Sequence, residues 1–162
     1  MNIDSYLNNL NDEFNSYVNY CRDAINSLVL EASLKGSIPG AKPIKRELNL
    51  LNVSDIEAIR VKRQQLIDVK VNHTSRVVEN ILKVSKNIGL NADFTKIVRI
   101  VALLHDIGRF EQIRRFHTFM DAESVDHAKF GAELLFGEGG MIRRFLEETA
   151  WDDQIRDAIY WH

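Results

Sequence analysis

Residues 101–110 read Val101-Ala-Leu-Leu-His105-Asp106-Ile107-Gly108-Arg109-Phe110, an apolar run closed by a His-Asp doublet and a glycine. Upstream, Phe94, Ile97, Val98 and Val101 recur at helical spacing, and His105 falls four residues after Val101 on the same stripe. His105 is therefore expected to point inward. Asp106 stands about 100° further round. A helix that ends here, with Gly108 in a left-handed C-terminal position, aims both side chains into one cavity. A buried imidazole and carboxylate with no apolar reason to be there point to a metal. The doublet alone leaves open a core histidine beside a surface aspartate.

The composition narrows what surrounds the doublet. With 162 residues, 45% of them hydrophobic, the chain can bury a core of its own. Lys plus Arg total 21 against 23 Asp plus Glu, so no global field draws nucleic acid or an acidic membrane. Neither is expected as a partner. Cys21 is the only cysteine, which excludes an internal disulfide and fits a reducing compartment. The start, Met1-Asn-Ile-Asp-Ser-Tyr, is no signal peptide, and no run approaches the ~18 apolar residues of a membrane span. A cytoplasmic protein is expected.

Ahead of the doublet, Ile3, Leu7, Leu10, Phe14, Tyr17, Cys21, Ala24 and Leu28 alternate at steps of four and three. This heptad seam predicts a long helix packed on its own domain or, alternatively, a homodimer formed through that helix. Gly36, Pro39, Gly40 and Pro43 then impose a turn. They divide an N-terminal helical extension, residues 1–50, from a body over 51–162. Lys42, Lys45 and Arg46 form a basic cluster there, read as a solvated surface or a phosphate-binding loop. Ser54, with Glu57 three residues on, suits a capping box for the next helix. Its buried stripe is read as Val69, His73, Val77, Ile81, Val84 and Ile88, ending at Gly89. Asn91 or Asp93 caps the helix that carries the doublet.

Beyond Phe110 the pattern predicts a short helix and a loop, with His117 a surface or loop-packing residue. Further on, His127, Gly131 and Leu134 share a helical face. Gly131 is expected where another backbone approaches closely. A short helix over 141–149 follows, then one capped by Asp152 with Ile155, Ala158, Ile159 and His162 on one face. No β-alternating run occurs, so the class is all-α, a helical bundle. His73, His105, His127 and His162 each fall on the apolar face of a different helix. One core holding four imidazoles with Asp106 is better explained by metal than by four separate hydrogen-bond partnerships.

His73, then His105-Asp106-Ile107-Gly108-Arg109, then Asp126-His127-Ala-Lys129, and finally His162, resemble the HD superfamily of metal-dependent phosphohydrolases in its HDIG form. The resemblance covers roughly residues 70–162. It implies an HD-domain helical bundle in which His73, His105 and Asp106 hold a first metal, with Asp106 able to bridge. His127 and His162 match the extra histidines of two-metal members. Arg109 and Lys129 stand where cations could meet phosphate oxygens. The family pattern ends on a further aspartate, and Asp152, Asp153 and Asp157 do not match its position, so the native product is expected to continue past His162.

An imidazole-rich set with a carboxylate suits one or two ions of Mn, Fe, Co, Ni or Zn rather than Ca or Mg. The implied activity is hydrolysis of a nucleotide or other phosphate ester or anhydride by metal-activated water, with Asp106, Arg109 and Lys129 as the catalytic set. The alternative is a non-catalytic regulatory or interaction module that binds metal or nucleotide.

Overall fold

A computed structural model describes residues 3–35 and 53–162, with side chains described over 8–27 and 57–162. Seven helices follow in order: α1 (Ile3–Lys35), α2 (Val53–Asn87), α3 (Ala92–Leu104), α4 (Ile107–Phe116), α5 (His127–Phe136), α6 (Ile142–Phe145) and α7 (Asp152–Tyr160). A 3-10 turn over Asp121–Glu123 precedes α5. No strand occurs among the described residues, and none of their helices is long and apolar enough to cross a membrane. The Gly36–Pro43 turn, the Lys42/Lys45/Arg46 cluster and the expected boundary at residue 50 lie outside the described residues.

One apolar core joins the helices. α1 contributes Leu10, Phe14, Tyr17, Cys21 and Ile25; Ile100, Leu104, Ile107 and Phe110 enter from α3 and α4; Leu135, Ile155 and Ile159 close it. Each fully buried aliphatic side chain contributes about 1.5–3 kcal/mol relative to exposure. The Phe110 ring meets Phe14 edge-on at 5.6 Å between centroids. Of the α1 heptad seam, Leu10, Phe14, Tyr17 and Cys21 pack into the chain's own core, on the helix that meets α2, α4 and α6, whereas the Ile3, Leu7 and Leu28 side chains lie outside the described residues.

A buried carboxylate fixes α1 on α4. Glu111, 3% exposed, accepts from Tyr17 Oη at 3.1 Å and from Arg114 Nε at 2.7 Å, and also from Arg115. Burial alone would raise its pKa, but the two guanidinium groups outweigh that and hold it below the ordinary value. Beside it, burial pushes the Cys21 thiol up to about 12. A thiol so protonated is inert.

The structure departs from the sequence-based expectation at several places. The stripe on α2 is rotated: Val69, Val84 and Ile88 are exposed, whereas Arg63, Ile67, Thr74 and Ser85 are buried. Residues 63, 74 and 85 repeat every eleven, close to three whole turns, whereas successive four-residue steps drift by about 40° each. Ser54 lies inside α2, which starts at Val53. Asp152 is the first residue of α7 and Trp151 its cap; the Asp152 carboxylate instead accepts from the Thr149 amide at 3.2 Å and hydroxyl at 3.0 Å. The expected 141–149 helix is only four residues long, Ile142–Phe145, and Ala158 of α7 is exposed.

The doublet differs as well. Gly108 has no positive φ and lies within α4. A Cβ there would meet the His127 carbonyl oxygen at 2.2 Å and the Gly131 nitrogen at 2.8 Å. Gly108 is needed for the crossing of α4 over α5, not for a turn. The close approach expected at Gly131 is this same contact.

Candidate metal centre

The His-Asp doublet forms the corner between α3 and α4. Asn91 starts α3 by accepting from the Phe94 amide at 2.9 Å, and His105 closes it with its amide on Val101 O at 2.8 Å. Asp106, at φ −97° and ψ 14°, leaves helical geometry and precedes the first residue of α4. The corner turns both side chains to one place. Asp106 is 3% exposed.

Each carboxylate oxygen of Asp106 faces a different pair of imidazoles. Oδ2 lies 3.6 Å from His73 Nε2 and 3.3 Å from His105 Nε2, and these two nitrogens are 3.4 Å apart. Oδ1 lies 3.6 Å from His127 Nε2 and 3.8 Å from His162 Nε2. The structure therefore brings all five residues together as two triads sharing one carboxylate. Ligands about 2.1 Å from a tetrahedral ion are about 3.4 Å from one another. The first triad, with edges of 3.3, 3.4 and 3.6 Å, has that size; the second is slightly wider.

Outer partners set which nitrogen can act as a ligand. His105 Nδ1 is 2.8 Å from Ala102 O and His162 Nδ1 is 2.7 Å from Ile159 O. A carbonyl only accepts, so both Nδ1 atoms carry hydrogen. His127 Nδ1 donates likewise to Asp121 Oδ2 at 2.8 Å. In the neutral rings, Nε2 then presents a lone pair to the centre. Burial first, then Lys70, holds His73 below the ordinary histidine value. Burial likewise lowers His127, against the Asp121 hydrogen bond. The hydrogen bond to Asp106 raises His162. At Asp106 burial favours the neutral acid, but hydrogen bonds from His105, His162 and Lys70 outweigh it and keep the carboxyl far below its usual range. Once the rings are neutral, a carboxylate ringed by imidazole Nε2 atoms is a donor set that fits a divalent transition ion.

A family model for the HD domain matches residues 71–162. The chain belongs to the HD domain family. Comparison with curated proteins and with solved structures gives no match. HD domains bind divalent metals, and the His-Asp cluster of this HD domain lies wholly within the matched stretch.

The two cations expected to meet phosphate are placed differently. Arg109 is bound through Nη1 to Asp121 Oδ1 at 2.6 Å, to Gln112 Oε1 at 3.0 Å and to Phe119 O; its Nε lies 3.8 Å from Asp106 Oδ1. It braces the wall of the site. Lys129 is 53% exposed, pairs with Asp126 at 3.3 Å and lies over the Tyr160 ring. Two residues along α5 from His127, about 200° round, it does not join the cluster. His117 packs in a loop, as the left-handed cap of α4 at φ 63°.

Sequence reasoning missed three residues of this HD domain. Lys70 donates to Asp106 Oδ2 at 2.8 Å; its position one turn before His73 was the available signal. Asp121 orients both His127 and Arg109 from a loop with no period. Gln112, fully buried, holds that loop through Asp121 Oδ1 at 2.9 Å, Ser124 Oγ at 2.7 Å and Val125 O at 2.9 Å.

Proposed function

We propose that the chain is a metal-dependent phosphohydrolase acting on a nucleotide or another phosphate ester or anhydride. The observation that carries this reading is the division of Asp106, one oxygen to His73 and His105 and the other to His127 and His162. Under it, His73, His105 and Asp106 hold one ion, and Asp106, His127 and His162 hold a second. A bound divalent ion supplies Lewis acidity and lowers the pKa of water held there towards ~7.

The chain's own residues do the rest. Ala102 O, Ile159 O and Asp121 hold three rings in one tautomer. Arg109, braced by Asp121, sets positive charge beside Asp106 Oδ1, and Lys70 does so beside Oδ2. Such positive charge favours an anionic phosphate and the charge that develops as its bond breaks. In this proposal residues 51–162 form the HD domain and 1–50 an extension whose helix completes its core.

A second reading, a non-catalytic module that binds metal or nucleotide, is favoured by the engagement of Arg109 with Asp121 and by the outward position of Lys129. Turnover separates the two. The protein is incubated with Mn²⁺ and a panel of nucleotides, dinucleotides and p-nitrophenyl phosphate. Hydrolysis lost in His105→Ala supports the enzyme, whereas nucleotide binding without hydrolysis supports the module.

A further inference from the structure

The site contains a cation of its own at the position where metal and substrate charge must compete. Lys70 Nζ lies 2.8 Å from Asp106 Oδ2, the oxygen that also faces His73 Nε2 at 3.6 Å and His105 Nε2 at 3.3 Å. The other oxygen has no lysine: it faces His127, His162 and, at 3.8 Å, Arg109 Nε. A carboxylate oxygen pointing into the first triad is thus already hydrogen-bonded to an ammonium, whereas the one pointing into the second is not. The two triads are electrostatically unequal.

We infer that Lys70 is an internal counter-ion of the first triad, which yields Asp106 Oδ2 to a metal and then serves as the mobile cation for the substrate's phosphate. The inference rests on the phosphohydrolase reading and deepens it. An ion held by His73, His105 and Asp106 Oδ2 replaces the ammonium on that oxygen, since like charges a few ångströms apart repel strongly in a site sheltered from water. The lysine stem is flexible and its head is a compact point charge, so Nζ can move several ångströms while its Cα stays on α2. Its side chain is 22% exposed, which leaves a route to solvent and to a ligand. No other cation of the cluster has that freedom. Arg109 is held by three acceptors, and Lys129 lies on another face of α5.

The same placement balances a buried negative charge. Asp106 is buried and ionised, and the nearest fixed positive charges are Lys70 and Arg109. Without Lys70 the carboxylate would keep, besides histidine, only Arg109 Nε at 3.8 Å on its other oxygen. Lys70 therefore competes with metal at the first triad while balancing the buried carboxylate.

The test uses the full chain and its Lys70→Met, Lys70→Gln and Lys70→Arg variants, each checked for native helicity by circular dichroism. Co²⁺ is titrated by visible absorbance, the first site being identified by its loss in His73→Ala. Inorganic phosphate is then titrated into the Co²⁺-loaded proteins. Lys70→Met and Lys70→Gln are expected to bind Co²⁺ at the first site about tenfold or more tightly than the parent and to bind phosphate about tenfold or more weakly; Lys70→Arg stays near the parent in both. A merely structural lysine would weaken both. Equal or weaker Co²⁺ binding by the folded, uncharged variants overturns the inference and leaves the metal reading intact. Tighter Co²⁺ with unchanged phosphate binding overturns the role towards phosphate. Absence of Co²⁺ binding in the parent and all variants overturns both readings.

Discussion

Gly108 of α4 and Gly131 of α5 meet backbone to backbone: a Cβ on Gly108 would lie 2.8 Å from Gly131 N, and one on Gly131 would lie 3.2 Å from Gly108 N. The contact matters because Asp106 immediately precedes α4 and His127 begins α5, so their crossing sets the distance between two candidate ligands. The glycines are not equivalent. Gly108 also faces the His127 carbonyl oxygen at 2.2 Å, a rigid atom that cannot step aside.

Gly108→Ala is therefore expected to destabilise the fold by about 3 kcal/mol, at the upper end of overpacking costs, and to weaken metal binding through His127. Gly131→Ala should cost less, about 1 kcal/mol or under, because tighter contacts are partly offset by the helix propensity of alanine. Urea denaturation of the two variants checks the order. Equal midpoints would mean that α4 and α5 can separate freely.

Asp121 touches no Nε2 atom of the centre, yet it sets His127 by accepting from Nδ1 at 2.8 Å. In Asp121→Ala, ion affinity at the Asp106/His127/His162 triad should fall by about 10–100-fold, the usual effect of losing an outer partner. The first triad should keep its affinity. Isothermal titration with Mn²⁺ reads the two steps separately, and a parallel loss at both would show that Asp121 supports the fold rather than His127.

His117 gives the fold a pH dependence outside the centre. Burial, with help from Arg63, lowers its pKa to about 4, and its Nδ1 is buried without a hydrogen-bond partner. The unfolded chain takes up a proton near pH 6.5, whereas the folded chain resists until about 4. The stability this group provides is complete above about 6.5 and is lost as pH falls from there towards 4. Asparagine tolerates the left-handed φ of 63°. His117→Asn should therefore lose less stability than the parent between pH 6.5 and 4 in thermal melts. Parallel curves would contradict this.

What the sequence disclosed follows a physical division. His105 and Asp106 were legible because an apolar helix leading into a polar doublet forces both inward, and His127 because it shares a face with Gly131. Lys70 was not, since a lysine on a helix ordinarily reads as solvated and only the fold reveals that α2 turns it towards Asp106. Arg109 was legible as a cation beside the doublet, whereas its partner Asp121 was not, because it lies in a turn without periodicity. The α2 stripe was misjudged because apolar residues at four-residue steps looked continuous, while the face that packs repeats every eleven. Gly108 was read as a turn glycine because nothing local discloses a crossing helix.

In the proposed reading, Asp106 divides its oxygens between two metal sites. Crystals grown with Mn²⁺, measured for anomalous scattering, test it most directly. One peak is expected within about 2.0–2.3 Å of His73 Nε2, His105 Nε2 and Asp106 Oδ2, and a second on the Oδ1 side bounded by His127 and His162. A map with no peak beside Asp106, or with Mn²⁺ bound only at residues away from the doublet, would contradict it.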